Sequence, residues 1–197
     1  MDPVRGRMLV ETARQAIAHQ LLGTPPPVAG EPWLLAPGAV FVTLRRGGAL
    51  RGCIGSLEAY RPLFEDLRAN ALAAAFHDPR FPSLRADELE DLEIEVSLLS
   101  PPEPLRFSSE EEALAQLRPG RDGVVLSYRG HRGTFLPQVW KQLPEPRRFL
   151  ARLKEKAGLP ADFWDPEIAL ARYAVDTWCS SSGDGEPRPQ APPAAGA

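Results

Sequence analysis

Leu9, Ala13, Ile17 and Leu21 recur at every fourth position and Gly23 closes the run, so the spacing predicts an amphipathic helix over residues 5–22. A proline-rich connector follows. From Ala39 to Arg45 the chain turns β-branched and aromatic, Arg46-Gly47-Gly48-Ala49 has the chemistry of a tight turn, and Leu50 to Ile54 is apolar again, which predicts a β-hairpin. Pro62 suits a first helical turn, and Leu63, Phe64, Leu67, Ala71 and Ala74 then place one apolar face on a helix. A short helix near Ala86 to Leu89 precedes Glu93 to Leu99, whose alternation predicts a strand with Ile94, Val96 and Leu98 inward. In the second half, Ser108 with Glu111 forms a capping-box pattern that opens a helix running to about Leu117. A strand over Gly123 to Tyr128, a turn over Arg129 to Gly133 and a returning strand over Thr134 to Leu136 come next. A helix over Pro146 to Ala157, stopped by Gly158, and a final strand over Ile168 to Trp178 complete the pattern.

Residues 39–99 and 123–178 thus both run hairpin, helix, strand, which makes them a candidate internal duplication. The expected fold class is α+β, with a mainly antiparallel, barrel-like curved sheet shared by the two repeats and flanked by helices. One domain with one core is expected over 1–179. Residues 180–197, rich in Ser, Gly, Pro and Ala, are expected to form a disordered tail.

With 197 residues, 43% hydrophobic and 25% charged, the chain can bury a core without staples. A net charge of -3 supplies no basic stripe, so no direct nucleic-acid partner is expected. No apolar run approaches the ~20 residues of a membrane span. Cys53 and Cys179 lie far apart and Met1-Asp2-Pro3 does not begin a secretory signal, so a cytoplasmic location with reduced thiols is expected. Neither His-x-x-x-His nor Cys-x-x-Cys occurs, so no metal site is read. Phosphate-binding glycine loops and the Gly-x-Ser-x-Gly elbow are also missing, and the sequence calls for no cofactor.

The candidate chemistry lies around Arg51-Gly52-Cys53. Strand alternation puts the Arg51 guanidinium and the Cys53 thiol on one face, where the cation favours thiolate. Gly52 and Gly55 remove side chains that would block a ligand. The ordinary role of a lone strand cysteine is that of a small buried hydrophobe, and it stands beside the functional one. Of the three histidines only His77 sits among suggestive residues, in Phe76-His77-Asp78-Pro79-Arg80-Phe81. Pro79 makes that segment a shaped loop in which Asp78 and Arg80 either turn the backbone or contact a ligand. If the sheet curves enough, Glu95 becomes the partner of Arg51.

The blocks Phe41-Val42-Thr43-Leu44, Leu50-Arg51-Gly52-Cys53-Ile54-Gly55 and Asp78-Pro79-Arg80-Phe81-Pro82 closely resemble the AMMECR family, named after a human chromosomal region. Glu95-Val96-Ser97-Leu98-Leu99 and Thr134-Phe135-Leu136-Pro137-Gln138-Val139-Trp140 follow in family order, so the likeness covers about residues 5–178. The resemblance implies two related strand-and-helix repeats in one barrel-like sheet, with a candidate cleft at Gly52-Cys53 and the Asp78–Arg80 loop. It assigns no reaction. It also implies kinship with the first component of the AmmeMemoRadiSam system, which pairs this domain with a Memo-like protein and a radical S-adenosylmethionine enzyme. Lacking an iron–sulfur cysteine triplet, the chain would leave radical chemistry to that partner. The family pattern varies at the position of His77, which weighs against a general-base role there.

Two functions are therefore weighed. In the first, Cys53 attacks or binds a small group, Arg51 and Arg80 hold an anionic ligand, and Asp78 orients the loop. In the second, the Arg-Gly-Cys strand of a scaffold docks a partner and Cys53 is merely packed.

Overall fold

The first helix begins earlier than its apolar repeat. Asp2 accepts the N–H groups of Val4 (2.9 Å) and Arg5 (3.4 Å). With Pro3 in the first turn, helix α1 spans Pro3–Leu22. The computed structural model describes residues 2–180, and the tail expected beyond Ser180 lies outside them. The chain divides into two compact units. Among the described residues, one comprises 2–99 and 176–180; the other comprises Ser100–Val175.

In the first unit, β1 (Ala39–Arg46), β2 (Ala49–Gly55), β3 (Leu92–Leu99) and β8 (Val175–Cys179) form a sheet in the order β2-β1-β3-β8. The β1–β2 hairpin turns on Gly47 and Gly48, at φ 55° and 79°, as a two-residue hairpin loop that matches strand twist requires. Helices α1 and α2 (Leu63–Phe76) cover one face. Leu9, Ala13 and Ile17 of α1 and Leu67, Ala71 and Ala74 of α2 join Val42, Leu44, Ile94 and Val96 in one buried cluster. Each buried branched side chain there contributes about 1.5–3 kcal/mol. Gly6 gives α1 its approach to β8, since a Cβ there would sit 2.1 Å from the Trp178 ring.

In the second unit, β4 (Glu103–Pro104), β5 (Gly123–Tyr128), β6 (His131–Phe135) and β7 (Ala169–Tyr173) pair antiparallel in the order β4-β7-β5-β6. Its turn is only Arg129-Gly130, both at positive φ, so His131 lies in a strand and not in the turn predicted for it. Helix α3 (Glu110–Gln116) opens one residue beyond the predicted box. Glu112 N–H donates to Ser109 Oγ at 3.2 Å, while the Glu112 carboxylate accepts the Ser108 N–H and hydroxyl. Helix α4 (Pro146–Lys156) ends as predicted at Gly158, where Leu159 N–H reaches Lys154 O and Gly158 N–H reaches Glu155 O. This unit buries its own cluster, in which Trp140 stacks on Phe149 at 3.7 Å between centroids.

Two expectations are corrected here. The strands do not share one barrel-like sheet: among the described residues there are two antiparallel sheets, each beside its own buried cluster, where one sheet and one core were expected. The cause is local. The strand predicted over 168–178 breaks at Ala174, so that β7 joins β5 while β8 joins β3. Pro101 and Pro102, which cannot donate to a ladder, likewise separate β3 from β4. Hairpin, helix and strand do recur in order in both units, but order alone carries the duplication.

Candidate functional site

Strand β2 is the edge of its sheet, and an edge strand leaves a row of backbone groups without ladder partners. At Cys53 side chains of the loop after α2 take that place. Cys53 N–H donates to Asp78 Oδ2 at 2.9 Å, and Arg80 Nη2 donates to Cys53 O at 3.2 Å. Asp78 also accepts the N–H (3.1 Å), Nε (2.9 Å) and Nη2 (2.7 Å) of Arg80. The side-chain bonds from Arg80, with backbone bonds from Cys53 and Arg80, outweigh burial and hold the Asp78 carboxyl well below the usual carboxylate range.

Arg51 is the extra residue of a β-bulge: Leu44 faces Gly52 and Arg45 faces Leu50, so Arg51 has no opposite number. A bulge re-aims a side chain, and simple alternation stops here. The Arg51 guanidinium meets Glu88 in a two-pronged pair, Nε to Oε1 at 2.9 Å and Nη2 to Oε2 at 3.0 Å. It also donates to Pro82 O (2.8 Å) and Ser83 O (3.3 Å). Its partner is thus Glu88, not the expected Glu95, which lies on β3 with β1 intervening. Arg51 pulls the Glu88 carboxyl below its ordinary range.

Both glycines have protein neighbours. A Cβ on Gly52 would sit 2.1 Å from Ala74 O, the backbone of α2, and one on Gly55 would sit 2.2 Å from the Phe41 ring. His77 ends α2, with its N–H on Ala73 O. It is exposed, and its ring forms no hydrogen bond with a described residue.

Cys53 is half-buried, and its thiol lies 3.3 Å from Thr43 Oγ1. Thr43 is the cross-strand neighbour of Cys53 on one side and of Glu95 on the other. Beyond β3, Ser97 Oγ meets Thr177 Oγ1 (2.9 Å) and Ser180 N–H meets Ile94 O (2.9 Å), a register that sets Cys179 opposite Glu95. A row Cys53–Thr43–Glu95–Cys179 therefore crosses the face away from α1 and α2. Three strand spacings, about 14 Å, separate its thiols, too far for a disulfide. From the sequence neither Thr43 nor Glu88 was expected in the site. The hydroxyl of Thr43, in register with Cys53 amid apolar residues, was the available signal; Glu88 had none.

The Glu95 carboxyl group forms no hydrogen bond with a described residue, and burial raises it above the ordinary value, partly opposed by Arg45. A carboxyl raised on folding penalises the native state once ionised. Its unfavourable contribution is absent below the unfolded pKa and grows as pH rises through the folded one. Glu95→Gln should therefore be more stable than the wild type at pH 7 and equal to it near pH 3, measured by urea unfolding. A difference independent of pH would contradict the assignment.

Among the described residues no group of three or more His, Cys, Asp or Glu is placed to hold a metal, and no helix is long and apolar enough to cross a membrane. The sequence pattern of AMMECR1 matches residues 10–178. A protein of Methanothermobacter thermautotrophicus is 41% identical over 174 residues, covering 85% of this chain and 90% of that protein. A Thermococcus gammatolerans protein is 39% identical over 185 residues, covering 87% and 88%. The crystal structure of uncharacterized protein PH0010 from Pyrococcus horikoshii superposes with a TM-score of 0.72 at 36% identity, covering 92% of this chain and 94% of that one. A matched span from the middle of α1 to Trp178 in β8, and relatives of this identity over nearly their whole length, make this chain a member of the AMMECR1 family.

Proposed function

We propose that this chain is a cytosolic, thiol-dependent enzyme or enzyme component, acting in a modification pathway with a Memo-like protein and a radical S-adenosylmethionine enzyme. Cys53 is its reacting group. One observation carries the reading: an ion pair, Asp78–Arg80, grips both backbone polar groups of a single half-buried edge-strand cysteine whose thiol lies beside a hydroxyl. Packing a small hydrophobe needs no such clamp.

In this reading Asp78, Arg80 and Arg51 position the strand, and Gly52 and Gly55 let it lie close to α2 and Phe41. The Thr43 hydroxyl, 3.3 Å from Cys53 Sγ, is the neighbour placed to hydrogen-bond the sulfur as it reacts. The half-exposed edge of Arg80 is the remaining cation for an anionic ligand.

The docking alternative requires a partner strand on an edge that Asp78 and Arg80 already occupy at Cys53. Iodoacetamide separates the two readings. In a Cys179→Ser background, Cys53 should alkylate in the folded protein at neutral pH at least as fast as an unhindered thiol. Alkylation only at the rate of unfolding would leave the docking reading in possession, as would a Cys53→Ser chain that sustains the pathway undiminished.

A further inference from the structure

At the far end of α1, Gly23 takes the left-handed conformation and caps His19 O, and the His19 ring donates to Thr24 O. These bonds turn Pro25 and Pro26 back beside the last turns of the helix. Across from them, Arg14 ties down the segment before β3, Nη1 on Leu89 O (3.1 Å) and Nη2 on Leu92 O (2.6 Å). Between the two walls runs a groove of about 680 Å³, a size that suits ligand sites.

Its floor is one stripe of α1, Glu11, Gln15, Ala18 and Leu22, faced by Pro25, Pro26 and Leu89. Leu22 is 56% exposed although it ends a helix whose other apolar face is buried. The polar groups are one-sided. Both terminal nitrogens of Arg14 are on carbonyls and Gln15 Nε2 is on Glu11 (3.0 Å), whereas Glu90 forms no ion pair or hydrogen bond with a described residue. Pro25 and Pro26 offer carbonyls and no N–H. A groove with an apolar strip of Ala18, Leu22 and Leu89, two carboxylates and acceptor-only prolines complements a donor-rich cation on an aliphatic frame. Its walls are tied before any ligand arrives, which lowers the ordering cost of binding.

We propose that this groove receives a basic, leucine-like peptide segment of a partner protein, an arginine or lysine reaching Glu11 and Glu90 while aliphatic side chains cover Ala18, Leu22 and Leu89. The site uses no residue of the Cys53 row and stands apart from the function proposed above. An anionic membrane is disfavoured by the same two carboxylates.

The probe is a fluorescein-labelled hexapeptide, Leu-Arg-Leu-Leu-Arg-Leu, titrated against the full chain and followed by anisotropy, with a Glu-for-Arg peptide as control. Saturable binding of the arginine peptide alone is expected, weakening with salt. Glu11→Lys combined with Glu90→Lys, or Leu22→Asp alone, should weaken it by about tenfold or more. All three positions are exposed, and circular dichroism checks that the variants fold. The proposal is overturned by no binding of the arginine peptide, by equal binding of the glutamate peptide, or by undiminished binding to folded variants. Self-association of the chain that Leu22→Asp abolishes, without peptide binding, would also overturn it and make a second copy the occupant.

Discussion

Gly52→Ala is expected to lower the free energy of unfolding by about 3 kcal/mol, the upper end of the usual range for overpacking. The added methyl would lie 2.1 Å from the Ala74 carbonyl oxygen, and that oxygen belongs to helix backbone that cannot rotate aside. Either α2 lifts from the sheet, exposing part of the cluster around Leu67 and Ala71, or β2 moves outward. The second course is open because β2 has a neighbouring strand on one side only. It would carry Cys53 away from Asp78, so amide exchange at Cys53 should accelerate more than at Val42 in the sheet interior. Gly30→Ala is the control, since an added methyl there meets nothing within 4 Å. Equal urea midpoints for the two variants would show that the contact is not rigid.

Asp78→Ala is expected to cost about 2–4 kcal/mol, because it leaves the Cys53 N–H without its acceptor and the Arg80 guanidinium without its carboxylate. Arg80 is 44% exposed and water can serve part of it, which places the value toward the lower end. Asp78→Asn adds a test of sign. The carboxyl is held below its unfolded value of about 3.9, so its contribution is complete above that pH and is lost as pH falls toward the folded value. The gap between wild type and Asp78→Asn should be widest at neutral pH and narrow below about pH 4. A gap that stays constant down to pH 2 would mean that the charge on Asp78 does not matter to the fold.

How far the sequence reveals this arrangement depends on whether a feature is local. The α1 stripe, the Gly47–Gly48 hairpin, the alternation in β3 and the Gly158 stop each follow from residues within a turn or two, and each forms as expected. Sheet membership does not. Nothing in the apolar run Ile168–Trp178 announces that Ala174 divides it between partners far apart in the chain. The site shows the same boundary. Asp78 and Arg80 are legible as a shaped loop near Cys53 because Pro79 forbids helix there. The pairing of Arg51 with Glu88 depends on a one-residue bulge and on a contact 37 positions away, which periodicity does not encode. Glycine had two readings, room for a ligand or room for the protein itself, and only the position of Ala74 and Phe41 distinguishes them.

The placement of β8 has a consequence for how the chain is made. Gly6 lies against Trp178, so the first helix waits for a residue 172 positions later in the chain before its contact is complete. Residues 100–175 are contiguous and emerge from the ribosome whole, with their own aromatic cluster to bury. The earlier sheet must meanwhile persist with three strands and an open flank along β3. Closing it brings together ends separated by the entire insertion, a loop-closure cost that grows only logarithmically with length but is met late. A released chain truncated after Val175 should accordingly show a protease-resistant later block and a labile earlier one, the reverse of synthesis order.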